Sequence, residues 1–202
     1  MRPAEARCPA VGRRGVAAVE FVLIAPVFFV IALACADLIQ LFRAQLRVET
    51  IAVQIGQIVS QCRTITTPGD RDNFWAHGRR IAGTIINVDG TGAMVISAVG
   101  RNNNANRLAW QMRTGNTQRV SRLGANVGGS ATISDNFVVP ASQTLLVTEV
   151  FATVQPFALS AGLIGTVLPA NIYGTTLFLS RAPDPTTLLT APTNSQTPDC
   201  TG

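Results

Sequence analysis

Along the first third of the chain the hydrophobic pattern has no polar face. Residues 16–36 read VAAVEFVLIAPVFFVIALACA, apolar throughout except for Glu20. A helix packed on a soluble core alternates apolar and polar sides with a period near 3.6 residues, and no such alternation occurs here. At the α-helical rise this stretch is about 31 Å long, the thickness of bilayer hydrocarbon. The pattern therefore predicts a transmembrane helix over 16–36. From Asp37 to Cys62 it becomes amphipathic: Val48, Ile51, Ile55, Ile58 and Cys62 recur three and four apart, with Gln45, Arg47, Gln54, Gln57 and Gln61 between them. No proline interrupts this stretch, so a single long helix is expected, its first half in lipid and residues 37–62 laid on a globular domain.

Past Cys62 the signals shorten. Thr67-Pro68-Gly69-Asp70 reads as a turn and helix start, followed by a second helix over Asn73–Ile85. After Asp89-Gly90-Thr91-Gly92 the period falls to two. Strands are predicted at Ala93–Val99, Leu108–Met112, Leu145–Val154 and Thr175–Arg181, the first pair turning through Asn102-Asn103-Asn104 and the third ended by Pro156. Thr114–Asn136, rich in Gly, Asn and Ser, reads as a loose loop, and the Pro- and Thr-rich residues 183–202 as an extended tail. The expected fold class is α+β: a long N-terminal helix packed on a small antiparallel sheet of about four strands, arranged as a meander. The expected organisation is a leader over 1–15, the transmembrane helix 16–36, the amphipathic continuation 37–62, an α+β domain 63–182 and the tail.

Charge sets the orientation. The net charge is +5, every one of the sixteen cations is arginine, and Arg2, Arg7, Arg13 and Arg14 against Glu5 place most of the excess before the helix. Asp37 follows the apolar run at once. By the positive-inside rule the N-terminus stays in the cytoplasm and the remainder is exported. The other arginines are scattered. Even the run from Arg101 to Arg122 is spaced by Asn, Gly and Thr, unlike the clustered cations and interleaved aromatics of a nucleic-acid surface, so no nucleic-acid partner is expected.

Candidate chemistry is sparse. His77 is the only histidine, and HExxH, CxxC, GxSxG and phosphate-loop patterns are absent from the sequence. Asp70 and Asp72 sit at a turn where they can cap a helix, but lack the further ligands and closing Glu of a calcium loop. Glu149 lies in a strand with no partner in the pattern. The chain reads as a non-enzyme with no metal, cofactor or small-molecule substrate. Cys8 falls in the leader and Cys35 in lipid, leaving Cys62 and Cys200 outside. In an oxidising compartment these two are a candidate disulfide closing a loop of ~138 residues, worth ~4–5 kcal/mol on the chain-entropy model; two free thiols are the alternative.

Glu20 carries the sharpest hypothesis. A carboxylate within a membrane helix costs a few kcal/mol, so it either serves a function or snorkels to the interface. The string Arg13-Arg14-Gly15-Val16-Ala17-Ala18-Val19-Glu20-Phe21 resembles the type IV prepilin signal of the tight-adherence (Tad/Flp) branch: a basic leader, Gly, four residues, Glu, then an aromatic. The resemblance implies cleavage after Gly15 by a membrane prepilin peptidase, leaving Val16 as the new N-terminus. Its amine and the Glu20 carboxylate would then lie on one helix face in a low-dielectric medium, where pairing is strongly favoured. Pro26 falls near where pilin helices often carry a proline. Further on, the chain is similar to the TadE/TadG-like family in Trp110 on the second strand, in Val147-Thr148-Glu149-Val150 leading to Pro156, and in Arg181 after the last strand. That similarity spans most of residues 13–183. It implies a minor pilin or pseudopilin needed to assemble a Tad/Flp pilus used in adherence, held by one pass in a bacterial inner membrane with its C-terminal domain in the periplasm and possible incorporation into the filament. The implied partners are the prepilin peptidase, other pilins or pseudopilins and the assembly platform. Ala18, Ala25 and Ala32, seven apart, form a candidate face for a partner helix. Two other routes compete. Ala34-Cys35-Ala36 fits ordinary signal peptidase, which would release a periplasmic protein from Asp37, and Ala32-Leu33-Ala34-Cys35 approaches a lipoprotein box. The alternative function is a membrane-tethered or released periplasmic binding protein unrelated to pili.

Overall fold

The computed structural model describes residues 13–84, 86, 88–133, 137–154 and 171–202, with side chains from residue 18 onward. Most of the expected leader, Ile85 at the end of the second helix, and Pro156 lie outside the described residues.

Helix α1 runs unbroken over Arg13–Gln61, with Pro26 inside it. At 1.5 Å per residue its 49 residues extend about 73 Å, more than twice the hydrocarbon thickness. Its two halves differ in what surrounds them. The large apolar side chains from Val19 to Ile31 stand bare, whereas Ala44, Val48, Ile51, Ile55, Val59 and Cys62 are buried against the domain. The amphipathic stripe is the one the periodicity predicts, except that Val59 is more deeply buried than its neighbour Ile58.

The rest of the chain follows in the order β1 (Thr66–Pro68), α2 (Gly69–Ala82), β2 (Ala93–Asn102), β3 (Ala105–Gly115), β4 (Leu145–Thr153), β5 (Asn171–Leu179), a 3-10 turn (Thr187–Leu189) and β6 (Thr193–Ser195). The main sheet is four-stranded and antiparallel, in the order β3-β2-β4-β5. This is the expected α+β architecture, but not the expected meander. β2 lies between β3 and β4, so the chain leaving β3 must pass back over β2 to reach β4. The long connection that does so had read as a loose loop because its apolar residues are few. Leu123, Ala131, Ile133 and Val139 on it nevertheless form a second core with Val99, Leu108, Leu145 and Val147 on the face away from α1. Asn106 fastens this cover from the sheet, its amide donating to the Phe137 carbonyl (2.6 Å) and its side-chain oxygen accepting from the Val139 N–H (2.9 Å).

The hairpin between β2 and β3 turns on Asn103 and Asn104, both at positive φ (50° and 61°), which asparagine tolerates better than other non-glycine residues. A register shift at Ala98/Val99 leaves Ala109 without a partner. In consequence Leu108 points into the outer core and Trp110 into the α1-facing one, although the two are only two residues apart.

β5 is the strand laid on α1. It begins at Asn171 and ends at Leu179, four residues earlier at its start than the Thr175–Arg181 pattern suggested, because Tyr173-Gly174 looks like a break in sequence. Gly174 is there for contact: a Cβ would meet Val48 Cγ1 at 2.9 Å and the Val48 carbonyl carbon at 3.2 Å. On α1, Gly56 does the same for Phe178, which a Cβ would meet at 2.8 Å. Gln45 donates to the Tyr173 carbonyl (3.0 Å), Thr176 to the Ala52 carbonyl (2.8 Å), and the Arg181 N–H to Ser60 (2.7 Å), a carbonyl near the helix end that would otherwise lack a partner. β5 and α1 therefore run in the same direction, with Asn171 at the end of the sheet nearer the apolar half of α1.

The last twenty residues are docked rather than loose. β6 pairs in parallel with β1, and Trp110 donates to the Leu188 carbonyl (2.7 Å). Asp70, fully buried at the second position of α2, turns back toward the tail. Its carboxylate accepts from the Thr66 N–H (2.8 Å), the Cys200 N–H (3.0 Å), the Asp199 N–H (3.2 Å), and both the N–H and hydroxyl of Thr201 (2.8 Å each). Burial by itself would raise its pKa, but these hydrogen bonds outweigh burial and hold it at about 2. Beside this knot Cys62 and Cys200 are joined in a disulfide, their Cα atoms 5.3 Å apart.

Candidate functional site

The sequence pointed to the N-terminal half of α1, and the structure arranges it as one straight-through element. Gly15 and Val16 lie in the first turn of the helix. Glu20 and Phe21 stand exposed one turn later, Phe21 at 72%. Among the described residues Glu20 has neither a hydrogen bond nor an ion pair. α1 passes through Ala34-Cys35-Ala36 into Asp37 with no loop or break, whereas a signal-peptidase site is normally presented in an extended, accessible segment. Asp37 itself lies on the domain-facing stripe and is only 4% exposed, with neither carboxylate oxygen hydrogen-bonded; nothing in the described residues accounts for it.

The opposite side of α1 carries the Ala18, Ala25 and Ala32 face and its continuation. Ala18 and Ala32 are exposed and Ala25 half-buried. The same seven-residue step continues through Ile39, Leu46 and Val53, which are 51%, 62% and 42% exposed, with Phe42 between them. Six positions at one spacing thus trace a single seam from the membrane span onto the water-exposed half of α1. Its lower part belongs to the stretch that is long and apolar enough to cross a membrane. Above it, large apolar side chains face solvent on the side away from the domain, the usual mark of a surface that meets another chain. The extension was readable from spacing alone, but the transmembrane boundary at residue 36 hid it.

The other singled-out residues have structural roles. Glu149 is fully buried on β4, where it accepts from the Ser121 hydroxyl, the Arg122 N–H (2.9 Å) and the Tyr173 hydroxyl (2.9 Å). It thereby pins the cover to the sheet. His77 sits partly exposed with Gln54 at 3.3 Å. Asp72 pairs with Arg71 on the surface. Among the described residues no group of three or more His, Cys, Asp and Glu is placed to hold a metal ion, and one helix is long and apolar enough to cross a membrane.

The Gly15–Glu20–Phe21 motif therefore opens an uninterrupted helix whose far half is docked on a sheet. Residues 15–56 match the TadE-like protein family. The TadE-like segment begins on the motif glycine and ends on Gly56, the residue that admits Phe178 of β5. It covers about a fifth of the chain, so Trp110, Val147–Val150 and Arg181, which resemble the same family, fall beyond it. No curated protein and no solved structure matches the chain. The TadE-like family is associated with the Tad pilus and is structural rather than enzymatic.

Proposed function

We propose that this chain is a minor pilin or pseudopilin of a Tad/Flp-type pilus used in adherence. It is anchored in the inner membrane by α1 with its domain in the periplasm, and cut by a prepilin peptidase between Gly15 and Val16. The observation that carries the reading is the start of the TadE-like match on Gly15, with Glu20 and Phe21 at the spacing of the prepilin signal and an intact helix beyond. Mass spectrometry of the mature protein tests it. The expected N-terminus is Val16, and Gly15→Leu should leave a full-length, membrane-held precursor. A mature chain starting at Met1 would point to a simple tether and one starting at Asp37 to a released protein; either overturns the reading.

The partners in this reading are other pilins or pseudopilins and the assembly platform, met along the seam of Ala18, Ala25, Ala32, Ile39 and Leu46. Small residues allow close helix approach in lipid, and a seven-residue repeat keeps one face turned to a neighbour over a long distance. Ala25→Leu should reduce cysteine crosslinking to partner pilins about tenfold while insertion stays normal. Val27→Leu, on the opposite face, should change it little. Equal yields from the two faces would remove the seam from the interface.

A further inference from the structure

Two arginines from the β3–β4 cover converge on a cavity of about 260 Å³ at the end of the sheet where β5 begins. Arg119 is fixed there by Asn171 (2.8 Å) and the Thr91 carbonyl (3.4 Å). Arg122 lies over the Tyr173 ring, 3.8 Å from its centroid, and among the described residues its guanidinium N–H groups make no hydrogen bond. Gln118 adds a further polar group. Neither arginine belongs to an ion pair among the described residues; the two pairs found there, Arg71–Asp72 and Arg79–Asp89, involve other arginines. Glu149 lies behind Tyr173, where it accepts from Ser121, the Arg122 N–H and the Tyr173 hydroxyl; it pairs with neither guanidinium and is one carboxylate against two arginines. That hydroxyl is pushed up to about 12, chiefly by burial, and so adds no negative charge at neutral pH. Two arginines that line one cavity and leave several donors unused are an arrangement that an oxyanion completes by forked hydrogen bonding.

The position of the cavity narrows the anion's source. Tyr173 is level with Gln45 on α1, nine residues beyond Ala36 and therefore ~13 Å up the helix. Exposed apolar side chains continue past Ala36 through Leu38, Ile39 and Phe42, the last only three residues, or ~4–5 Å, below Gln45. The headgroup layer is ~5–7 Å deep, so a hydrocarbon boundary near Phe42 puts Gln45, and with it the cavity, at headgroup level. We propose that Arg119 and Arg122 bind the phosphate of an anionic lipid headgroup, seating the domain on the membrane from which α1 emerges. The proposal rests on membrane anchoring and not on the pilus assignment.

The test uses the full chain in nanodiscs of phosphatidylcholine with and without phosphatidylglycerol, with retained lipid counted by native mass spectrometry after transfer to detergent. The wild-type chain should retain phosphatidylglycerol in preference to phosphatidylcholine. Arg119→Gln with Arg122→Gln should reduce that preference ~30-fold, at about fivefold per arginine at a membrane surface. Arg101→Gln with Arg107→Gln removes the same charge from the far end of the sheet and should leave the preference intact. An intact Cys62–Cys200 bond and unchanged circular dichroism in both double variants guard against misfolding. Equal loss from the two would mean that net charge, not a site, attracts the lipid, and would overturn the proposal. Stabilisation by inorganic phosphate without any lipid preference would also overturn it, in favour of a soluble anion.

Discussion

Asp70→Ala is expected to lower the stability of the domain by ~3–5 kcal/mol and to leave a large fraction of Cys62 and Cys200 reduced. The estimate follows from what the carboxylate holds. It is the common acceptor for the N–H groups of Thr66, Asp199, Cys200 and Thr201, and each buried donor left without a partner costs ~1–3 kcal/mol. Part of that cost is avoided because the tail can lift into water, but lifting it withdraws Cys200 from Cys62. Chemical denaturation of the detergent-solubilised full chain, with free thiols counted by alkylation, reads both effects. A variant within ~0.5 kcal/mol of wild type and fully oxidised would show that β1–β6 pairing and Trp110 hold the tail unaided. The same residue sets an acid limit. Its folded pKa is depressed to about 2 from an ordinary 3.8, so its contribution is fully present above pH 4 and is lost as pH falls through 2. It amounts to ~2 kcal/mol at 1.36 kcal/mol per unit. Asp70→Ala should flatten the stability profile across that interval.

Glu20→Gln should leave insertion and cleavage after Gly15 intact while abolishing pilus assembly. The substitution keeps the side chain's shape and removes only the charge. In lipid, the mature amine of Val16 or of a neighbouring subunit would then lack its counter-ion, a loss of ~2–3 kcal/mol and about a hundredfold in pairing. Electron microscopy of surface pili together with the mature mass separates the two steps. Normal piliation would assign Glu20 to snorkelling, and loss of cleavage would assign it to peptidase recognition instead.

How far the sequence could be read depended on how regular each stretch was. α1 was legible nearly to the residue, because both its apolar run and the Val48–Cys62 stripe repeat over many turns. The strands were found, but their order was not. A meander is the shortest path for four strands, and nothing local in Ala105–Gly115 says that β2 will be shared by β3 and β4. The cover over the outer face was missed because Leu123, Ala131, Ile133 and Val139 have no period; they meet only after the backbone has folded over the sheet. Asp70 was legible as a polar residue at a helix start, but its partners other than Thr66 lie some 130 residues away, beyond the reach of any local rule. The Gly15–Glu20–Phe21 spacing was fully visible, and the TadE-like match begins on its glycine. The arginine pair at the sheet end was visible only as scattered charge, since it takes shape when Asn171 and Tyr173 arrive from another strand.

The bond between Cys62 and Cys200 makes almost everything after α1 one covalent ring, 138 residues around. A load applied between the membrane and the C-terminus would enter at Cys62 and leave at Cys200 without crossing a single strand of the main sheet. A load applied at the Asn103–Asn104 hairpin would instead have to pass through β2 and β3 before reaching α1. The domain is thus mechanically two different objects, a rigid strut when gripped by its tail and a ladder of hydrogen bonds when gripped by its tip.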